Sequence, residues 1–173
     1  MQRITVPKGL ALGLTIFLLL PSNVSYAQEH SYQSWSFRDR YIRHRDSLGY
    51  IEKITDLQAS KDADFIVIPG LSGRCNSLEA KNFPGFYLRH QNYRLKLGRI
   101  TDDNVSRQDA TFCFTKGLAG ADGLSFESAN LPRYYIRHRN FELWVGQDDG
   151  SDLFKKDATF IQTRPVEPSQ ILD

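Results

Sequence analysis

No apolar run in this 173-residue sequence is long enough to cross a bilayer. The longest, Gly9 to Leu20, spans about twelve residues against the roughly twenty that a membrane helix needs. Arg3 and Lys8 precede it, Pro21 follows it, and Ser25-Tyr26-Ala27 puts small residues three and one before a cut. Residues 1–27 therefore read as a secretory signal peptide, leaving one exported domain over 28–173 with no membrane segment after cleavage. An excess of one charge is missing too. Cleavage takes two basic and no acidic residues from totals of 22 and 20, which leaves 20 of each. Long-range attraction to phosphate needs a net or clustered positive field, so nucleic acid is not an expected partner.

Cysteine is scarce, with Cys75 and Cys113 the two in the chain. Two thiols without a nearby His-x-x-x-His arrangement do not make a structural zinc site, so neither metal nor cofactor is expected. In an exported chain an even count can pair, and a Cys75–Cys113 disulfide is expected, with two free buried thiols as the alternative. Helical periodicity is also missing from 28–173. Apolar and polar residues alternate with period two in short runs punctuated by Pro, Gly, Asn and Asp, which predicts strands. The runs are Ser77–Ala80, Phe86–Arg89, Tyr93–Leu97 and Ala110–Phe114, then Leu124–Ser128, Tyr134–Arg137, Phe141–Val145 and Ala158–Ile161. Ser31–Trp35, Arg40–Arg43 and Asp64–Ile68 form a weaker first set, with a poor third strand at Tyr50-Ile51. Pro165 and Pro168 mark a loose tail.

What the chain does have is one phrase written three times: Tyr41-Ile-Arg-His44, Tyr87-Leu-Arg-His90 and Tyr135-Ile-Arg-His138. Asp62, Asp109 and Asp157 follow these histidines by 18, 19 and 19 residues, the last two opening Asp-Ala-Thr-Phe. The repeats run over about 31–73, 74–120 and 121–164. Four strands per repeat resemble a propeller blade, but three blades are too few, and a solenoid would need capping repeats. Closing three four-strand units on themselves gives an all-β fold, the β-trefoil, with few free edges.

An ionised carboxylate accepts hydrogen bonds from sugar hydroxyls, and a neutral imidazole offers one donor and one acceptor. His44 with Asp62, His90 with Asp109 and His138 with Asp157 are thus candidate ligand-binding pairs. A compatible second reading has each aspartate tie down a turn through backbone amides. Phe112, Phe160, Tyr87 and Tyr135 are expected in the core or in pocket walls, with the core as the default. No catalytic residues are assigned. Hydrolysis needs an acid and a second carboxylate at one asymmetric site, whereas Glu79 with Asp109 recurs as Glu127 with Asp157, and repetition favours binding.

On Asn82-Phe-Pro-Gly-Phe-Tyr-Leu-Arg-His-Gln-Asn-Tyr93, Asn130-Leu-Pro-Arg-Tyr-Tyr-Ile-Arg-His-Arg-Asn-Phe141 and the Asp-Ala-Thr-Phe motifs, the sequence resembles the arabinofuranose-binding modules at the C-terminal end of α-L-arabinofuranosidases B. The resemblance implies a β-trefoil whose lobes each hold one arabinofuranose branch, the histidine and aspartate bonding its hydroxyls. By position Glu79 and Glu127 are added, with Gln33 in the first repeat. The implied partner is an arabinose-branched hemicellulose such as arabinoxylan or arabinan, alongside a separate glycoside hydrolase, since the related enzymes carry their catalytic machinery in another domain. The alternative is an α-L-arabinofuranosidase or a subunit of one. Repeat one departs from the pattern, with Asp46 and Ser47 where the others have Asn-Tyr and Asn-Phe, and Asp64 in place of Thr. Repeats two and three are therefore expected to bind, and repeat one to be weak.

Overall fold

The computed structural model describes residues 28–166, so the segment read as a signal peptide lies outside the described residues. Twelve strands and three six-residue helices follow one order three times over. The first set is β1 (Gln28–Ser34), β2 (Tyr41–Arg45), β3 (Leu48–Glu52), α1 (Leu57–Asp62) and β4 (Phe65–Pro69). The second is β5 (Asn76–Ala80), β6 (Phe86–Gln91), β7 (Arg94–Arg99), α2 (Asn104–Asp109) and β8 (Phe112–Lys116). The third is β9 (Leu124–Ser128), β10 (Tyr134–Arg139), β11 (Glu142–Gln147), α3 (Asp152–Asp157) and β12 (Phe160–Thr163).

All the strands pair antiparallel in one closed sheet. β1, β4, β5, β8, β9 and β12 pair in succession, and β12 returns to β1, with Ser31 opposite Thr163. Closure removes the free edges that open sheets expose. The hairpins β2–β3, β6–β7 and β10–β11 meet one another through β3–β7, β7–β11 and β11–β3. Each hairpin turns on two consecutive residues in the left-handed region: Asp46-Ser47, Asn92-Tyr93 and Asn140-Phe141. That is the backbone of a two-residue hairpin turn, which favours Asn and Asp and matches the twist of the strands. The first repeat's departure at Asp46-Ser47 therefore leaves its turn unchanged.

Alternation sends Tyr32, Leu78, Phe126, Phe65, Phe112 and Phe160 inward, and each is fully buried. Ile42, Leu88 and Ile136 add the hairpins' share of the same cluster. Where the three hairpins converge, Leu95 and Leu143 face Gly49, on which a Cβ would lie 3.2 Å from each. Two leucines fill that space, so the third repeat position is left to glycine. Phe112 and Phe160 are core as expected, whereas Tyr87 and Tyr135 are half-buried outside it. Cys75 and Cys113 form a disulfide with Cα atoms 4.7 Å apart, across 38 residues.

Two expectations are corrected. The short helices were not foreseen, because six residues give fewer than two turns and no periodicity can register. Their signal lies in the caps instead: Asp56 and Asp103 carboxylates accept from the backbone N–H of Ala59 and Ser106 at 2.8 and 2.7 Å. Ser151 Oγ does the same for Phe154 at 3.1 Å. The tail is tied down as far as the description reaches, since Val166 is buried and its N–H donates to Ser31 Oγ at 3.2 Å. Pro168 lies outside the described residues.

Candidate functional site

Each predicted aspartate is the last residue of a short helix, and the alanine after it is fully buried. Any larger side chain there would push the helix off the sheet, so Asp-Ala fixes where the carboxylate stands. In the second and third repeats the following threonine finishes the corner. Thr111 and Thr159 Oγ1 accept from the amides of Ser72 and Ala119 in the inter-repeat linkers at 3.1 and 3.0 Å. In the first repeat Asp64 takes this place and accepts instead from Ser31 Oγ at 2.6 Å. Burial pushes the Asp64 carboxyl above the usual range.

The structure brings all three predicted pairs together. His44 Nε2 is 3.7 Å from Asp62 Oδ1, His90 Nε2 is 3.4 Å from Asp109 Oδ1, and His138 Nε2 is 3.3 Å from Asp157 Oδ1. All six residues are buried, yet each pair lines a cleft open to solvent, of about 440, 290 and 300 Å³ in lobes one, two and three. Lobe one, expected to be weak, has the same constellation and the largest of these clefts. Its Asp46 and Ser47 line the rim.

Three groups beside these pairs were not foreseen as site residues. The arginine before each histidine reaches the same aspartate: Arg43 and Arg137 Nη2 donate to Asp62 and Asp157 Oδ2 at 2.8 Å, while Arg89 stands off from Asp109 at 3.7 Å. Its signal was present, since Arg precedes His in all three copies. An asparagine from the next repeat closes two of the lobes. Asn82 Nδ2 donates to Asp62 Oδ1 at 2.8 Å while its Oδ1 faces His44 Nε2 at 3.0 Å, and Asn130 does the same for Asp109 and His90 at 2.8 and 3.1 Å. An oxygen acceptor at Nε2 assigns the imidazole proton to that nitrogen. Apolar walls also come from the next repeat: Phe83 lies edge-on to His44 and Phe37 to His138, each with ring centroids 5.4 Å apart, and Leu131 lines the His90 cleft.

The lobes differ in which polar atom is left over. In lobe three Ser36 stands where the others have asparagine, and His138 Nε2 is buried with no aligned hydrogen bond. Burial lowers the His138 pKa, outweighing the opposing pull of Asp157, and so favours the neutral ring. In lobe two Arg89 stands off from Asp109, and its Nε is the buried atom left without a hydrogen bond, whereas Arg43 and Arg137 Nε donate to the carbonyls of His44 and His138.

Glu79 and Glu127 line none of these clefts. Glu79 Oε1 accepts from the Gly85 amide at 2.6 Å and Glu127 Oε1 from the Arg133 amide at 2.7 Å, each pinning the turn before its hairpin. Gln33 holds the equivalent turn by donating to the Arg38 carbonyl. Among the described residues no group of three or more His, Cys, Asp and Glu side chains could hold a metal ion.

Comparison with known proteins places this arrangement. The family model of the alpha-L-arabinofuranosidase B (ABFB) domain matches residues 30–162. Alpha-L-arabinofuranosidase B of Aspergillus kawachii is 32% identical over 88 residues, which are 49% of this chain and 18% of that enzyme. The alpha-L-arabinofuranosidase of Hypocrea jecorina is 32% identical over 85 residues, 47% of this chain and 17% of that enzyme. This chain thus matches less than a fifth of either relative's length. A solved GH54 a-l-arabinofuranosidase, soaked with a cyclic sulfate inhibitor, superposes with a TM-score of 0.74 at 27% identity over 84% of this chain and 32% of that one. The BEL beta-trefoil, at 14% identity and a TM-score of 0.58 over 82% of this chain and 96% of that one, shares the fold alone. Sequence and structure agree that this chain belongs to the alpha-L-arabinofuranosidase B domain family.

Proposed function

We propose that the chain is a secreted β-trefoil of three pseudo-symmetric repeats that binds α-L-arabinofuranosyl branches of a hemicellulose such as arabinoxylan or arabinan, through up to three clefts. The observation that carries this reading is the recurrence of a buried histidine and aspartate within 3.3 to 3.7 Å of each other at the floor of an open cleft in every lobe. A small polyol suits such a floor, since its hydroxyls both donate to carboxylate oxygen and accept from imidazole N–H. His138 Nε2, which faces Asp157 without an aligned hydrogen bond, supports it further, because a buried polar atom so placed has bonding capacity left for a ligand hydroxyl. Phe83, Phe37 and Leu131 supply apolar walls against the faces of the sugar ring.

The lobe-two cleft favours holding a sugar over cleaving its bond. The groups nearest Asp109 are Arg89, His90 and Asn130, donors rather than the second carboxylate that glycoside hydrolysis uses. A single pentose buries little area, so each site is weak and affinity on a branched polysaccharide comes from engaging several at once. The disulfide supports an oxidising, extracytoplasmic destination after loss of residues 1–27, and a separate glycoside hydrolase is the natural companion.

Isothermal titration of the purified chain with an arabinofuranosyl-substituted oligosaccharide tests this. Up to three sites are expected, two of them lost in the His90→Ala, His138→Ala double variant. A double variant that titrates like the parent would sink the assignment. The relatives' names favour one other reading, an arabinofuranosidase or a subunit of one. Release of arabinose from arabinan by the purified chain would favour it.

A further inference from the structure

A further cleft, of about 510 Å³, contains no histidine–aspartate pair. It is walled by three aromatic rings, Tyr93, Tyr134 and Trp144, with Asn92, Arg139 and Gln147 at its margins. Tyr93 and Tyr134 are near parallel, at 22° with centroids 5.8 Å apart, and Tyr93 is 51% exposed. The guanidiniums of Arg94 and Arg139 each stand 5.2 Å from the Trp144 ring, and its Nε1 donates to Glu142 at 3.2 Å, so the indole is held in place. Two features locate this cleft relative to the branch pockets. Asn92 and Tyr93 also line the His90–Asp109 cleft, and Arg137 and Arg139 also line the His138–Asp157 cleft.

We propose that this aromatic cleft is a further carbohydrate subsite, which seats a ring of the glycan main chain next to the arabinofuranosyl branch lodged at His90 and Asp109. Rigid ring faces flanked by planar amide and guanidinium donors suit the apolar face and equatorial hydroxyls of a sugar ring, and the shared wall makes the two spaces one continuous surface. The other lobes lack the platform. Trp144 stands opposite Arg137 in its hairpin, and the residues at that register opposite Arg89 and Arg43 are Lys96 and Tyr50. The counterparts of Tyr93 are Ser47 and Phe141, and the ring of Phe141 is already covered by Arg40 at 4.0 Å. The platform is therefore built once, at the seam between lobes two and three, and there a branched chain is distinguished from a free branch sugar.

This proposal rests on the arabinofuranose reading above, and two ligands separate them. Titration with methyl α-L-arabinofuranoside reports the branch pocket alone, and titration with arabinofuranosyl-xylobiose reports pocket and cleft together. The full chain should bind the branched trisaccharide about 10-fold to 30-fold more tightly, the range expected for adding an aromatic anchor. Trp144→Ala and, separately, Tyr134→Ala should abolish that advantage and leave the methyl glycoside affinity unchanged. Tryptophan fluorescence adds a readout that needs no variant. Trp35 packs against Gly120, so a change on adding the trisaccharide and none with the methyl glycoside reports Trp144. Equal affinities of the parent chain for the two ligands would overturn the subsite while leaving the branch pocket standing. Binding of neither ligand would overturn both.

Discussion

Replacing Asn130 with alanine removes the side chain that joins the second and third repeats across the lobe-two cleft. Three hydrogen bonds go with it: Nδ2 to Asp109 Oδ1 at 2.8 Å, the contact of Oδ1 with His90 Nε2 at 3.1 Å, and the Ser128 hydroxyl to Oδ1 at 2.8 Å. His90 and Asp109 are 5% and 7% exposed, so water cannot fully replace what is lost. A bond to a charged group contributes about 1.5–3 kcal/mol net and a neutral one about 0.5–1.5. Ser128 Oγ remains 3.2 Å from His90 Nε2 and recovers part of this, which leaves an expected loss of about 2–4 kcal/mol. For a domain of this size that corresponds to a Tm lower by about 5–15 °C. Urea unfolding with linear extrapolation measures the loss, and a double-mutant cycle with Asp109→Ala isolates the shared bond. Coupling of about 1–3 kcal/mol is expected, and additivity within about 0.5 kcal/mol would refute the claim that Asn130 holds the carboxylate.

Exchanging Cys75 and Cys113 together for serine should cost about 3–4 kcal/mol through the 38-residue loop they close, read as a lower urea midpoint; a loss below about 1 kcal/mol would count against the loop-closure account. Tyr32 is fully buried and its hydroxyl has no partner, so Tyr32→Phe should stabilise by up to about 1 kcal/mol, and a clear destabilisation would reveal a partner for that hydroxyl. Asp64 has a folded-state pKa raised by burial, so the folded chain holds its proton more tightly than the unfolded one. Its contribution is complete below the unfolded value of about 3.9 and declines as pH rises through the higher folded value. Asp64→Asn should therefore gain stability relative to the parent over that rise, and parallel stability–pH curves would contradict the assignment.

Much of the architecture was legible because it is repeated. Period-two alternation located the strands to within a few residues, and even the weak run at Tyr50-Ile51 is a strand, β3, since Gly49 there answers to a crowded centre rather than to strand propensity. The histidine–aspartate pairs were legible for the same reason, each occurring three times at nearly fixed spacing. Glu79 and Glu127 recur in two repeats, with Gln33 in the first, and yet hold turns, so repetition marks a structural need as readily as a binding one. The helices escaped notice because their caps, and not their length, carry the signal.

By itself the sequence determined the strands, the disulfide partners, and which acid goes with which histidine, since those follow from local alternation and from spacing within one repeat. The tertiary structure decided how each cleft is completed. Asn82 and Phe83 serve His44, Asn130 and Leu131 serve His90, and Phe37 from the first repeat serves His138 in the last. Such partners lie about 40 residues further along the chain, or about 100 residues back, and no local pattern links them. The sheet joins β12 to β1, and that closure sets the β1–β2 turn of one repeat over the helix end of the repeat before it.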